Sequence, residues 1–99
     1  MVKKTVSLII PNYNGTKLLA KNLPRVIAAA NSYSQNTEII VVDDGSTDNS
    51  RETLKSLIGT FRHDISIKII TKEKNEGFSS ACNLGVTKAR GEIVVLLNT

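Results

Sequence analysis

A single cysteine, Cys82, in 99 residues leaves no partner for an internal disulfide and fits a reducing compartment. Tryptophan is absent, and the aromatics are two tyrosines and two phenylalanines, so the core has to be built from Ile, Val, Leu and Ala. No apolar run approaches the roughly 18 residues of a membrane-spanning helix. The apolar stretch at residues 6–10 is too short for a secretory signal and runs into Pro11. A cytoplasmic location follows as the expectation, and the glycosylation-like triplet Asn14-Gly15-Thr16 reads as coincidence. The only histidine, His63, lies in a polar connection without a zinc-ligand pattern and reads as a solvated loop residue. Neither a Gly-x-Gly-x-x-Gly fingerprint nor a Gly-Lys-Ser/Thr phosphate loop is present, which argues against NAD enzymes and P-loop NTPases. Net charge is +4, but the cations are scattered, with no run longer than Lys3-Lys4. A nucleic-acid surface would need a denser patch with interleaved aromatics, whereas modest basicity suits a small phosphate-bearing ligand.

What is present is a strict alternation. Four apolar, β-branched segments read as strands: 6–10, 38–42, 65–71 and 92–97. Three amphipathic patterns lie between them. Leu19, Leu23, Val26, Ile27 and Ala30 form the first, interrupted by Pro24, so Asn22 is expected to cap the main helix after a short turn. Leu54, Leu57, Ile58 and Phe61 form the second; Phe78, Ala81, Cys82, Gly85, Val86 and Ala89 form the third, which makes Cys82 inert core. Gly91 is read as the C-cap of that third helix. The order β-α-β-α-β-α-β implies an α/β fold with parallel strands and right-handed crossovers. Polar clusters then follow every strand on one rim of the sheet, where open α/β sheets bind nucleotide-type ligands.

The sharpest cluster is Asp43-Asp44-Gly45-Ser46-Thr47-Asp48, which ends a buried strand abruptly. Asp44 is the first choice for ligand contact. A carboxylate only accepts hydrogen bonds, so it suits a ring N–H: the N3–H of uracil or thymine, or the N1–H and amino group of guanine, but nothing on adenine. Asp43 is expected to satisfy backbone donors at the turn; alternatively, both acids merely cap the next helix. Tyr13 either lies against a base or is an ordinary half-buried tyrosine, and Pro11 fixes the strand exit. Asn14-Gly15 is a turn signal first and a ligand contact second. Asn75-Glu76-Gly77 precedes a helix whose free N–H groups favour anions, with Lys72 and Lys74 adding charge near a diphosphate or lining a solvated loop. Asn83 either reaches the ligand from that helix or is simple surface.

These blocks resemble family-2 inverting glycosyltransferases of the GT-A fold. Val6-Ser7-Leu8-Ile9-Ile10-Pro11-Asn12-Tyr13-Asn14 is similar to the family's opening strand and loop, and Val41-Val42-Asp43-Asp44-Gly45-Ser46-Thr47-Asp48 to its second block. Asn75-Glu76-Gly77 with Ala81, Asn83 and Gly85 resembles the third, and Gly91-Glu92-Ile93-Val94-Val95-Leu96-Leu97-Asn98 the strand entering its metal motif. The resemblance implies a Rossmann-like, three-layer partial GT-A domain over residues 1–99, with four parallel strands in the order 3-2-1-4 and three helices. It implies a nucleotide site of Pro11, Tyr13, Asn14, Asp43, Asp44, Asn75, Gly77 and Asn83. It further implies transfer of a sugar from a UDP- or dTDP-sugar, with inversion, to the hydroxyl of an acceptor glycan or lipid-linked saccharide, as in cell-envelope polysaccharide synthesis at the inner face of the membrane.

In such a parent enzyme Mg²⁺ or Mn²⁺ would bind at an Asp-x-Asp motif. Here Asn98-Thr99 occupies its first two places, so the metal carboxylate and the catalytic base are expected beyond this chain. The fragment itself is then inactive and does not hold the metal tightly. The alternative is a non-enzymatic signalling or nucleotide-binding α/β module, but a receiver-like domain needs an acid where Ile70-Thr71-Lys72 stands. Strand 92–97, apolar on both faces yet placed at an edge by the order 3-2-1-4, is expected to recruit a second copy.

Overall fold

The computed structural model describes residues 4–34, 36–61 and 63–98. The elements are β1 (Val6–Asn12), α1 (Thr16–Tyr33), β2 (Thr37–Asp44), α2 (Ser50–Thr60), β3 (Ser66–Lys72), α3 (Phe78–Lys88) and β4 (Ile93–Leu96). The strands form one parallel sheet in the order β3-β2-β1-β4.

Strand side chains alternate between the two faces of a sheet, and the core divides accordingly. Ile10, Ile39 and Val41 pack with Leu19, Leu23 and Ile27 of α1 and Leu54 of α2. Ile9, Ile40 and Val42 pack with Ala81 of α3 on the other face. β2 is buried along its whole length, as a strand with neighbours on both sides and helices on both faces should be. α3 approaches the sheet closely because Gly85 has no side chain: a Cβ there would fall on Ile9 Cγ2 and 3.2 Å from Val42 Cγ2.

Several sequence expectations need correction. α1 runs unbroken through Pro24, with no restart at Asn22. An internal proline removes one helical hydrogen bond and costs about 3 kcal/mol. Burying Leu19, Leu23 and Ile27 on one stripe outweighs that, at about 1.5–3 kcal/mol per large apolar side chain. Gly91 is not the helix cap, a position held by Ala89. Gly91 instead lets the chain pass close to β1, where a Cβ would lie 2.6 Å from Ser7 N, and its own N–H donates to Ser7 Oγ at 2.8 Å. Phe61 falls just past α2 and is exposed, as are Phe78 and Val86 on α3. His63 is half-buried, its Nδ1 donating to the carbonyl of Ile65 at 3.0 Å.

At the rim formed by the strand starts, Glu38 is a buried acid that sequence reading passed over. It accepts from Ser7 Oγ at 2.6 Å and from Arg90 N at 2.6 Å, and pairs with Lys68 at 3.6 Å. Among the described residues β4 pairs only with β1, and Ile93, Val94 and Leu96 are 42%, 40% and 51% exposed.

Candidate functional site

The strand ends converge on a cleft of about 380 Å³ at the carboxyl rim of the sheet. β1 delivers Pro11 and Asn12, with Tyr13 directly after them; α1 adds Leu18; β2 ends in Asp44. The β3–α3 connection contributes Asn75 and Gly77, α3 contributes Phe78 and Ala81, and Asn98 follows β4. Tyr13, Leu18 and Phe78 are 48%, 48% and 56% exposed around this one opening. A cluster of large exposed apolar side chains is the informative exception on a soluble surface.

The strand pleat separates the paired acids. Asp43 sits on the α1/α2 side, fully buried, and does not line the cleft. Its oxygens accept from Asn12 Nδ2 at 3.0 Å, Ser46 N at 3.2 Å, Ser46 Oγ at 2.5 Å and Arg51 Nε at 3.1 Å. Burial works to raise its pKa, but the bonds from Ser46, Asn12 and Arg51 outweigh it and hold the carboxyl below the ordinary carboxylate value. Arg51 also donates to the carbonyl of Lys72 at 3.1 Å, so Asp43 anchors α2 to β2 and β3.

Asp44 faces the other way. Its Oδ1 accepts from Glu76 N at 3.0 Å and its Oδ2 from Gly77 N at 2.8 Å, while Lys72 Nζ lies 3.5 Å from Oδ1. Burial again opposes ionisation, and the Glu76 and Gly77 N–H groups with the Lys72 charge reverse the sign and lower the pKa. Asp44 thereby occupies the N–H groups of Glu76 and Gly77, in the loop that leads into α3. Lys72 is likewise engaged, donating to Ser80 Oγ at 2.5 Å and pairing with Glu76 at 2.9 Å, and Lys74 does not line the cleft. Gly45, at φ 71°, makes the turn possible: a Cβ there would lie 2.5 Å from both Asn75 N and Lys74 C. The β2–α2 turn thus supports the loop that carries Asn75 and Gly77.

Of the residues singled out by sequence, Pro11, Tyr13, Asp44, Asn75, Gly77 and Asn98 meet in the cleft, whereas Asn14, Asp43 and Asn83 do not. Asn14, with φ 51°, joins two loops: its Oδ1 accepts from Thr47 N at 2.7 Å and Asp48 N at 3.2 Å, and its own N–H donates to Ser46 Oγ at 2.9 Å. Asn83 is exposed on α3. Two helical positions beyond the buried Ala81, it points to roughly the opposite side of the helix. Asn12, Leu18, Phe78 and Ala81 were not singled out as ligand contacts. Asn12 gave a signal only as part of the polar cluster after the first strand, and Leu18, Phe78 and Ala81 only as apolar residues in the first turns of helices, which resemble ordinary helix stripe until a fold exposes them.

Asp48 was also passed over as more than a turn acid. Its Oδ1 accepts from Ser50 N at 2.9 Å and Ser50 Oγ at 2.5 Å, and its Oδ2 from Thr16 N at 3.3 Å and Thr16 Oγ1 at 2.8 Å, tying together the starts of α1 and α2. Burial disfavours the charge, but the bonds from Ser50 and Thr16 together outweigh it and bring the pKa from the ordinary 3.8 to about 2. A folded-state pKa below the unfolded one stabilises the protein above the unfolded value, and that stabilisation disappears as pH falls through the folded value. The melting temperature is therefore expected to drop between about pH 4 and pH 2, and to drop less steeply in Asp48→Asn. An unchanged acid slope in that variant would remove Asp48 from the account.

A divalent metal does not fit the described residues. Among them no three His, Cys, Asp or Glu side chains group together, Asn98 offers one neutral oxygen, and Asp44 is already bonded on both oxygens. Thr99, the next position of the expected motif, lies outside the described residues.

Residues 7–99 match the profile of Glycosyl transferase family 2. The dodecaprenyl-phosphate galacturonate synthase of Rhizobium johnstonii is 31% identical over 93 residues, covering 94% of this chain and 27% of its own. Among solved structures, a mannosyltransferase from Pyrobaculum calidifontis in complex with GDP-Man and Mn²⁺ superposes with a TM-score of 0.86 at 26% identity, over 99% of this chain and 28% of its own. S. aureus TarS 1-349 in complex with UDP-GlcNAc gives 0.78 at 27% identity, over 95% and 26%. The chain spans between 27% and 35% of the length of the first curated relatives it matches.

Proposed function

This chain belongs to glycosyl transferase family 2, and from that premise we propose that residues 1–99 are the nucleotide-sugar-binding part of a longer enzyme. The parent transfers a sugar from a UDP- or dTDP-sugar to an acceptor hydroxyl with inversion, and the 99-residue chain binds nucleotide without transferring sugar. The observation that carries the reading is the convergence of Pro11, Tyr13, Asp44, Asn75 and Gly77 on one cleft at the carboxyl rim. Tyr13 and Phe78 offer faces for a base, and Asp44 offers a carboxylate edge to its imide N–H. Guanine also presents a ring N–H, and the mannosyltransferase from Pyrobaculum calidifontis is in complex with GDP-Man, so the preference for a pyrimidine is the finer part of the proposal.

Inversion follows from a single displacement in which the acceptor oxygen attacks the anomeric carbon, its proton passing to a general base of the parent enzyme, as the nucleoside diphosphate leaves from the opposite face. None of the described residues is assigned as the catalytic base. Mg²⁺ or Mn²⁺ is assigned to the parent enzyme; the described residues do not form its site. A polyprenyl-linked acceptor is consistent with the name of the rhizobial relative, and the inner face of the membrane is part of the proposal. No helix among the described residues is long and apolar enough to cross a membrane.

Calorimetric titration of the chain with UDP, dTDP and ADP tests the base assignment. UDP and dTDP are expected to bind at least about tenfold more tightly than ADP, whose base has no imide to satisfy Asp44. Equal affinity for ADP would remove the basis for Asp44's role. Self-association through the exposed Ile93, Val94 and Leu96 of β4 belongs to the same proposal; a monomeric sedimentation profile at high concentration would count against it.

A further inference from the structure

An ionised carboxylate offers about four acceptor positions, and most of those on Asp44 are taken. Oδ1 accepts the Glu76 N–H at 3.0 Å and faces the Lys72 ammonium at 3.5 Å; among the described residues Oδ2 accepts only the Gly77 N–H, at 2.8 Å. Lys72 is held where it is. Its side chain is 9% exposed, it donates to Ser80 Oγ at 2.5 Å, and it pairs with Glu76 Oε1 at 2.9 Å. The remaining acceptor position lies on Oδ2.

Resting on the base-reading role proposed for Asp44, we propose that Lys72 is a specificity-determining residue: by occupying Oδ1, it confines Asp44 to a ligand edge with a single imide N–H. Guanine presents two parallel donors, N1–H and the 2-amino group, which match both oxygens of a free carboxylate. With Oδ1 filled, the amino group enters the cleft without its acceptor, and an unmatched buried donor is penalised. Uracil and thymine present one imide N–H and incur no such penalty. Lys72 does not line the cleft and touches no base, so it acts through Asp44.

Hypoxanthine has guanine's N1–H without the amino group, so GDP and IDP differ by that one donor. In calorimetric titration of the full chain, GDP is expected to bind no more than about twofold more tightly than IDP, because the extra donor finds no acceptor. In Lys72→Met, which opens Oδ1, GDP should exceed IDP by about tenfold. Lys72→Arg keeps a donor beside Oδ1 and should restore the native ratio. Two results overturn the proposal: GDP already about tenfold tighter than IDP in the native chain, or an unchanged ratio in a Lys72→Met protein with native circular dichroism. Should Lys72→Met fail to fold, the native GDP/IDP ratio decides alone, supporting the proposal near unity and overturning it near tenfold. Absence of nucleotide binding, or ADP binding as tightly as UDP, overturns the base-reading role and this inference with it. UDP well above ADP together with GDP well above IDP removes Lys72's part only.

Discussion

Asp44→Ala is expected to lower the unfolding free energy by about 3 kcal/mol, well beyond the loss of a ligand contact. The side chain is 4% exposed, and its removal strands the N–H of Glu76, leaves the N–H of Gly77 with Asn75 Oδ1 alone at 3.1 Å, and takes one counter-charge from Lys72. Those donors belong to the loop that leads into α3, so the loop carrying Asn75 and Gly77 should loosen with the loss of stability. Urea unfolding of the native and variant chains measures the difference. Asp44→Asn should recover only part of it, because the carboxamide turns one acceptor into a donor aimed at an N–H. A loss below about 1 kcal/mol for Asp44→Ala would mean that the two N–H groups find other partners. Asp44 would then be a ligand contact and not also a fastener of the fold.

Gly45→Val should destabilise by a similar amount, about 2–6 kcal/mol, combining left-handed backbone strain of about 1–3 kcal/mol with overpacking of about 1–3 kcal/mol. The backbone stands at φ 71°, and the added Cβ would meet backbone atoms, Asn75 N and Lys74 C at 2.5 Å, which cannot swing aside as a side-chain tip can. Nucleotide affinity should fall as well, since the displaced loop is one wall of the cleft. Gly59→Ala is the control: nothing lies within 4 Å of its Cβ position in α2, and exchanging a helical glycine for alanine stabilises by up to about 1 kcal/mol. Thermal or urea unfolding of both variants gives the contrast. Equal effects at the two glycines would contradict the close approach at Gly45.

Much of this was legible in the chain. Strands alternating with amphipathic helices gave a parallel sheet, and the end of β2 in two acids and a glycine marked the rim where a ligand would lie. The separation of Asp43 from Asp44 was legible too, because neighbouring residues of a strand must point to opposite faces. Pro24 misled because a local rule, that proline breaks helices, was set against burial of Leu23 and Ile27 on either side of it. Gly91 misled because a glycine after a helix resembles a cap, whereas its reason lies in Ser7, a residue 84 positions away in sequence. Asn14 and Thr47 interact across 33 positions, so their loop-to-loop latch left no local trace.

The sequence by itself determined the α/β class, the parallel sheet, the two apolar faces of the central strands and the rim on which the polar clusters gather. Periodicity and chain connectivity are local properties, and they suffice for that much. Only the tertiary structure decided which polar groups remain available to a ligand. Asp44 is claimed by N–H groups more than 30 residues away, Lys72 is clasped by Glu76 and Ser80, and Phe78 is left standing at the mouth of the cleft. A hydrogen-bonding group has a fixed number of positions, and which partners fill them depends on distances that exist only after the chain has folded.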